Sequence, residues 1–232
     1  MTTQAPAATP ALAAVPLPHR MAAEFIGVFL LVFFGPGSAV VSAHQGSAIS
    51  HEGIAACNGL AIMVLIYALG HVSGAHFNPA VTLAFGVARH FQTRDIVPYW
   101  LAQFAGALAA AGLLRALFDN AAHLGTTQPA GSAGQSFVLE VVLTFALMFV
   151  ITAVATDVRA VGQAAAIAIG AMVGLDVLLG GPISGGSMNP ARSLGPALVS
   201  GELKSLWIYL TAPPIGALLG ALTYGLVRGD QR

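Results

Sequence analysis

Charge is what this sequence has least of. Only 8% of its 232 residues are Asp, Glu, Lys or Arg, where an ordinary globular domain carries roughly 25%. With 56% hydrophobic residues and a mean hydropathy of +0.80, the chain has lipid as its main solvent. Formal net charge is zero, so no basic surface for nucleic acid and no acidic partner is implied. A single cysteine, Cys57, excludes an internal disulfide and any multi-cysteine metal site. Neither G-x-S-x-G nor H-E-x-x-H occurs, so there is no catalytic set to assign, and no enzyme, cofactor or metal is expected. Residues 1–18, MTTQAPAATPALAAVPLP, lack the basic start of a signal peptide and are rich in Ala and Pro. They read as a disordered leader ahead of a single domain, 19–232.

What the chain does have is apolar runs. Six recur at about 20–43, 53–71, 96–117, 136–156, 163–181 and 205–227, each near the roughly 20 residues a helix needs to cross about 30 Å of hydrocarbon. Lys and Arg in the connections orient them. With the N-terminus inside, Arg20, Arg89, Arg94, Arg159, Arg228 and Arg232 fall on the cytoplasmic side, and Arg115, Arg192 and Lys204 on the other. Both termini are therefore expected in the cytoplasm.

Two stretches interrupt the oil in the same frame: SGAHFNPAVTLAFG at 73–86 and SGGSMNPARSLGPA at 184–197. Each has two spans before it and one after, which divides the chain into halves 20–117 and 136–228. Both halves also carry a glutamate early in their first span, Glu24 and Glu140. Three spans per half is odd, so the second half enters from the opposite face, an inverted repeat of the kind transport proteins build around a midplane site. About ten helix-compatible residues follow each Asn-Pro-Ala, 78–88 and 189–199, enough for half a span. Asn is a favoured N-cap and Pro a favoured first helical residue, so Asn78-Pro79-Ala80 and Asn189-Pro190-Ala191 read as helix starts. Inversion brings the two short helices tip to tip near the bilayer centre. Irregular backbone at that depth must line a cavity or be buried in protein. A water-filled pore satisfies the carbonyls, and the two stretches then form its walls. Two helix N-termini, each worth about +0.5 charge, make the crossing point hostile to cations and protons but not to neutral solutes.

The duplicated motif, the paired glutamates and the six-plus-two-half spans resemble the major intrinsic proteins, the aquaporin superfamily, over about residues 20–228. GPISGGSMNPARSLGPAL looks most like the nodulin-26-like and aquaglyceroporin branch. The resemblance implies an all-α membrane fold of six transmembrane helices plus two re-entrant half-helices, assembled as a homotetramer in the cell membrane with one pore per subunit. It also implies a narrow filter, which the family's spacing places at Asn58, Val177 and Gly186 with Arg192. Water-selective members are similar to one another in carrying bulky Phe and His at the first two of these places. Asn and Val stand here, so a wider opening is expected. Glu24 and Glu140 would accept hydrogen bonds from the loop backbone leading into each half-helix, with His71 and His76 as further loop supports.

Plainer readings stand beside these. Asn78 and Asn189 as caps without pore contact, Arg192 in a structural salt bridge, Val177 as helix packing and Asn58 in an interhelical hydrogen bond are the alternatives. Asp176, deep in the fifth run with no repeat mate, is either held by a neighbouring helix or reaches the pore mouth. The pairs Gly170/Gly174 and Gly216/Gly220 are small-residue contacts for close helix packing. The function expected is a passive channel for small uncharged solutes: water, glycerol, urea and metalloid hydroxides such as arsenite, boric or silicic acid. A mainly water-conducting channel is one alternative. An ion-coupled transporter is another, and it would need Glu24, Glu140 or Asp176 as a titrating group.

Overall fold

A computed structural model describes residues 15–156 and 164–228. Residues 1–14 of the expected leader, and Arg159 and Arg232 from the orientation argument, lie outside the described residues. Among the described residues eight α-helices follow in order: α1 (Leu17–His44), α2 (His51–Ser73), α3 (Pro79–Val87), α4 (Ile96–Phe118), α5 (Ala133–Thr156), α6 (Ala165–Ser184), α7 (Pro190–Ser200) and α8 (Leu206–Val227). All but α3 and α7 are long and apolar enough to cross a membrane. The chain is an integral, multi-pass membrane protein. Its first helix starts earlier than the hydropathy alone implies. Leu17 and Pro18 join the first turn, where the missing proline N–H is not needed for an intrahelical bond. Arg20 then ties that turn down by donating to Val15 O at 3.1 Å and to Asp95 Oδ2 at 2.9 Å.

The packing obeys the repeat. Within the halves α1 lies on α4 and α5 on α8; across them α3 lies on α8 and α7 on α4, and α2 meets α6. Each half-helix is thus clasped by the other half's last span. Crossings this close require glycine: a Cβ on Gly59 would stand 2.6 Å from Gly170 O, and one on Gly170 would stand 2.6 Å from Gly59 O. Gly106 on Phe25 O and Gly216 on Val141 O repeat the device in α4/α1 and α8/α5. Gly170 and Gly216, noticed in the sequence as small-residue positions, are therefore points of backbone contact. So is Gly220, against Phe145 O.

Candidate functional site: a paired half-helix pore

The two short helices begin where the motifs start. Asn78 (φ −156°, ψ 121°) and Asn189 (φ −148°, ψ 110°) are extended N-caps with Pro at the first helical position. The Asn78 side-chain oxygen accepts from Ala80 N at 2.9 Å, and that of Asn189 from Ala191 N at 3.0 Å and Arg192 N at 3.2 Å. Capping is not all these side chains do. Asn78 Nδ2 donates to Met188 O and Asn189 Nδ2 to Phe77 O, both at 2.8 Å. Each asparagine therefore stitches its own helix tip to the opposite loop. A primary amide has two protons, so each cap keeps one beyond this contact.

Backbone conformation explains the loops before the caps. Ala75 and Phe77 in the first, Gly186 and Met188 in the second, have φ of 51°, 49°, 57° and 51°. Three of the four carry a side chain in a region that disfavours one, at about 1–3 kcal/mol each, so surrounding structure must hold them there. The glutamates do so. Glu24 accepts from Ser73 Oγ (2.7 Å), His76 N (3.0 Å), Phe77 N (2.7 Å) and Gln103 Nε2 (2.8 Å). Glu140 accepts from Ser184 Oγ (2.7 Å), Ser187 N (2.9 Å) and Met188 N (2.8 Å). Both are completely buried. With their oxygens occupied by fixed donors, these acids brace the pore wall and are poorly placed to carry protons across it.

A second tier fixes the tier above. Tyr99 OH donates to Ser73 O (2.8 Å) and Tyr209 OH to Ser184 O (2.6 Å). Thr82 Oγ1 donates to Asn78 O at 3.0 Å, so it must accept from His76 Nδ1 at 3.1 Å, which assigns the ring proton to Nδ1. Ser187 and Ser193 pair in the matching place. Rings of Phe85, Phe91 and Tyr99 surround His76 at centroid distances of 5.0, 4.7 and 5.3 Å. His76 is thus part of the loop's support. The structure does not bring His71 there. Two residues along a helix are about 200° apart, so Ser73 facing inward turns His71 outward, where it is exposed.

Arg192 is buried at the start of α7. Its Nη1 donates to Gly125 O at 2.8 Å, and among the described residues it makes no salt bridge. Gly125 ends a left-handed turn through Ala122, His123 and Leu124, with φ of 47°, 47° and 58°. No sequence motif marks this carbonyl. Gly186 lies against Val177: a Cβ there would stand 3.2 Å from Val177 Cα and 3.5 Å from Asp176 O. Asn58 is buried on α2, with Nδ2 donating to Ile54 O at 2.8 Å in its own helix. The interhelical hydrogen bond considered for it is absent among the described residues. Asp176 is 2% exposed and its Oδ2 has no hydrogen-bond partner there. Through that atom it receives no bond from a neighbouring helix among the described residues. Ser73, Ser184, Tyr99, Tyr209 and Gln103 were not singled out in the sequence. The two serines and Tyr99/Tyr209 are visible there only as equivalent positions of the repeat.

Comparison with known proteins agrees with this architecture. The family model described as Major intrinsic protein matches residues 12–224. The chain is 50% identical over 215 residues to Aquaporin NIP1-1 of Oryza sativa subsp. japonica, covering 92% of this chain and 76% of that protein. To Nodulin-26 of Glycine max it is 49% identical over 218 residues, covering 94% and 80%. An X-ray structure of the aquaglyceroporin from Plasmodium falciparum superposes with a TM-score of 0.80 at 26% identity, covering 92% of this chain and 97% of that one. The chain belongs to the major intrinsic protein family.

Proposed function

We propose that this passive channel for water and small neutral solutes is of the wide kind, admitting glycerol, urea and metalloid hydroxides such as arsenite, boric or silicic acid while turning back protons and ions. The observation that carries the reading is the group Asn58, Val177, Gly186 and Arg192. It contains one fixed cation, one amide, one small aliphatic and one residue with no side chain, so nothing bulky and aromatic fills the opening. Arg192, held at Gly125 O, is the constriction's positive charge, and the paired N-termini of α3 and α7 add theirs deeper in. A cation or a proton loses hydration and meets repulsion from both; a neutral polyol meets no such repulsion. The retained amide protons of Asn78 and Asn189 receive its oxygens in transit. Nodulin-26 and the aquaglyceroporin among the relatives support the same choice.

The termini face the cytoplasm of a cell membrane by the charge of the connections, and four copies assemble with a pore in each, as the family resemblance implies. Stopped-flow light scattering on proteoliposomes with water, glycerol, urea and arsenite tests the solute range. Substantial flux of all four supports it; water flux alone, with the solutes at the rate of empty vesicles, refutes it.

A further inference from the structure

The filter residues named above come from α2, α6, the second loop and the start of α7, yet two of the four are seated by α1. The interior of that helix reads Phe34-Gly35-Pro36-Gly37-Ser38. Gly35 is where the Asn58 side chain rests: a Cβ built on Gly35 would collide with Asn58 Oδ1 and would stand 3.0 Å from its Cγ. The neighbouring Pro36 receives Gly125, whose absent Cβ would lie 2.8 Å from both Pro36 Cβ and Pro36 O. At φ 70°, Gly125 also adopts a backbone conformation a side chain would disfavour. Its carbonyl is the one that accepts from Arg192. One dipeptide therefore touches both the amide and the cation of the constriction, through Asn58 directly and through Gly125.

We propose that Gly35 and Pro36 are positioning residues for selectivity: Gly35 gives the Asn58 amide a pocket to fold into, away from the lumen, and Pro36 is the platform that sets the Gly125 carbonyl and hence the reach of Arg192. The proposal rests on the filter reading given above. Asn58 has little other freedom. Its Nδ2 is bonded to Ile54 O, and on its α6 side Gly59 is already pressed against Gly170. Ala55, Ile62 and Leu65 share its buried stripe on α2. Displaced from Gly35, the amide moves toward the channel axis and narrows the opening. Pro36 is suited to a platform because its ring fixes φ. Ser38 Oγ, donating to Gly35 O at 2.6 Å, adds a second tie at the same turn.

The test is Gly35→Ala in proteoliposomes, with glycerol and water permeability measured on the same preparation and normalised to protein incorporated. The ratio of glycerol to water permeability is expected to fall about tenfold, as a steric narrowing acts on the larger solute first. The double variant Gly35→Ala/Asn58→Ala is expected to return that ratio to the value of Asn58→Ala alone, because the colliding amide is gone. A ratio unchanged by Gly35→Ala overturns the proposal. So does a parallel loss of both permeabilities that the second substitution does not relieve, since that marks a purely structural glycine. If Gly35→Ala fails to accumulate, the double variant decides: recovery of folded, glycerol-permeable protein supports the seat, and continued failure overturns it. Asn58→Phe separates this from the filter assignment. If Asn58→Phe also leaves solute ranking untouched, the filter is misplaced; if it narrows the pore while Gly35→Ala does not, only the seat is wrong.

Discussion

Replacing Glu140 by Gln changes few atoms and tests how the pore wall is braced. In the native protein Oε1 accepts from Ser184 Oγ and Ser187 N and Oε2 accepts from Met188 N. A glutamine can present its carbonyl to only one of these sets. With the carbonyl at the Oε1 position, its NH2 group faces Met188 N, and two donors confront each other in a fully buried place. Losing one charge-assisted bond is worth about 1.5–3 kcal/mol and stranding a buried donor about 1–3 kcal/mol. Relief of the buried charge offsets part of this, leaving a net loss of about 2–4 kcal/mol. The strain is concentrated at Met188, which is held at φ 51° by that bond, and Met188 O is the acceptor for Asn78 Nδ2. The damage therefore passes to the opposite half-helix. Expected outcomes are a thermal midpoint in detergent lower by roughly 5–12 °C and a water permeability reduced at least about tenfold at equal incorporation. Asp176→Asn is the matched control, since Oδ2 of Asp176 has no bond to lose; it should leave both quantities within error or raise the midpoint. A Glu140→Gln protein as stable and permeable as the parent, or an Asp176→Asn protein that is the more damaged of the two, would refute the reasoning.

Three further outcomes are expected. Asn58→Phe combined with Val177→His should lower glycerol and urea permeability about tenfold or more while water still passes; an unchanged ranking in stopped-flow measurements places the constriction elsewhere. Arg192→Val removes the only cation among the four filter residues, so ionic conductance in planar bilayers should rise above that of the parent; no rise means that the half-helix N-termini exclude ions alone. Gly216→Val sets side-chain atoms into the Val141 carbonyl, an overpacking costing at least about 1–3 kcal/mol, and should sharply reduce folded protein in the membrane. Gly112→Val, with nothing within 4 Å of its Cβ, should be tolerated; equal yields of the two would contradict the helix-contact account.

Much of the architecture is written locally and could be read without coordinates. Asn-Pro carries both a cap and a first helical residue, so α3 and α7 start at Pro79 and Pro190 as the motif dictates. Spans follow from hydropathy, because lipid demands an apolar run of fixed length. The bracing of Glu24 and Glu140 was legible only through the family resemblance, since a carboxylate in a helix does not announce which backbone it meets. Other contacts left no local trace. Ser73/Ser184, Asn78/Asn189 and Gly59/Gly170 are each 111 positions apart, and that shared offset is the one signal that would have drawn the serines out. Gln103 has Pro213 at the equivalent distance from Tyr209 as it has from Tyr99, so symmetry could not reveal it. Gly125 lies in a connection with no counterpart motif, and its carbonyl matters only because the chain folds it onto Pro36. His71 misled for the opposite reason: it is close to the loop in sequence but turned away by the helical period.

The claim on which everything else depends is that the two half-helices, stitched by Asn78 and Asn189, frame a permanently continuous aqueous path through each subunit. It is tested most directly by glycerol flux into proteoliposomes as a function of glycerol concentration, with and without an imposed proton gradient. The account predicts flux linear in concentration across the accessible range and identical in the two conditions. Flux that saturates sharply, or that the gradient accelerates, would contradict it and point to a carrier with an alternating site.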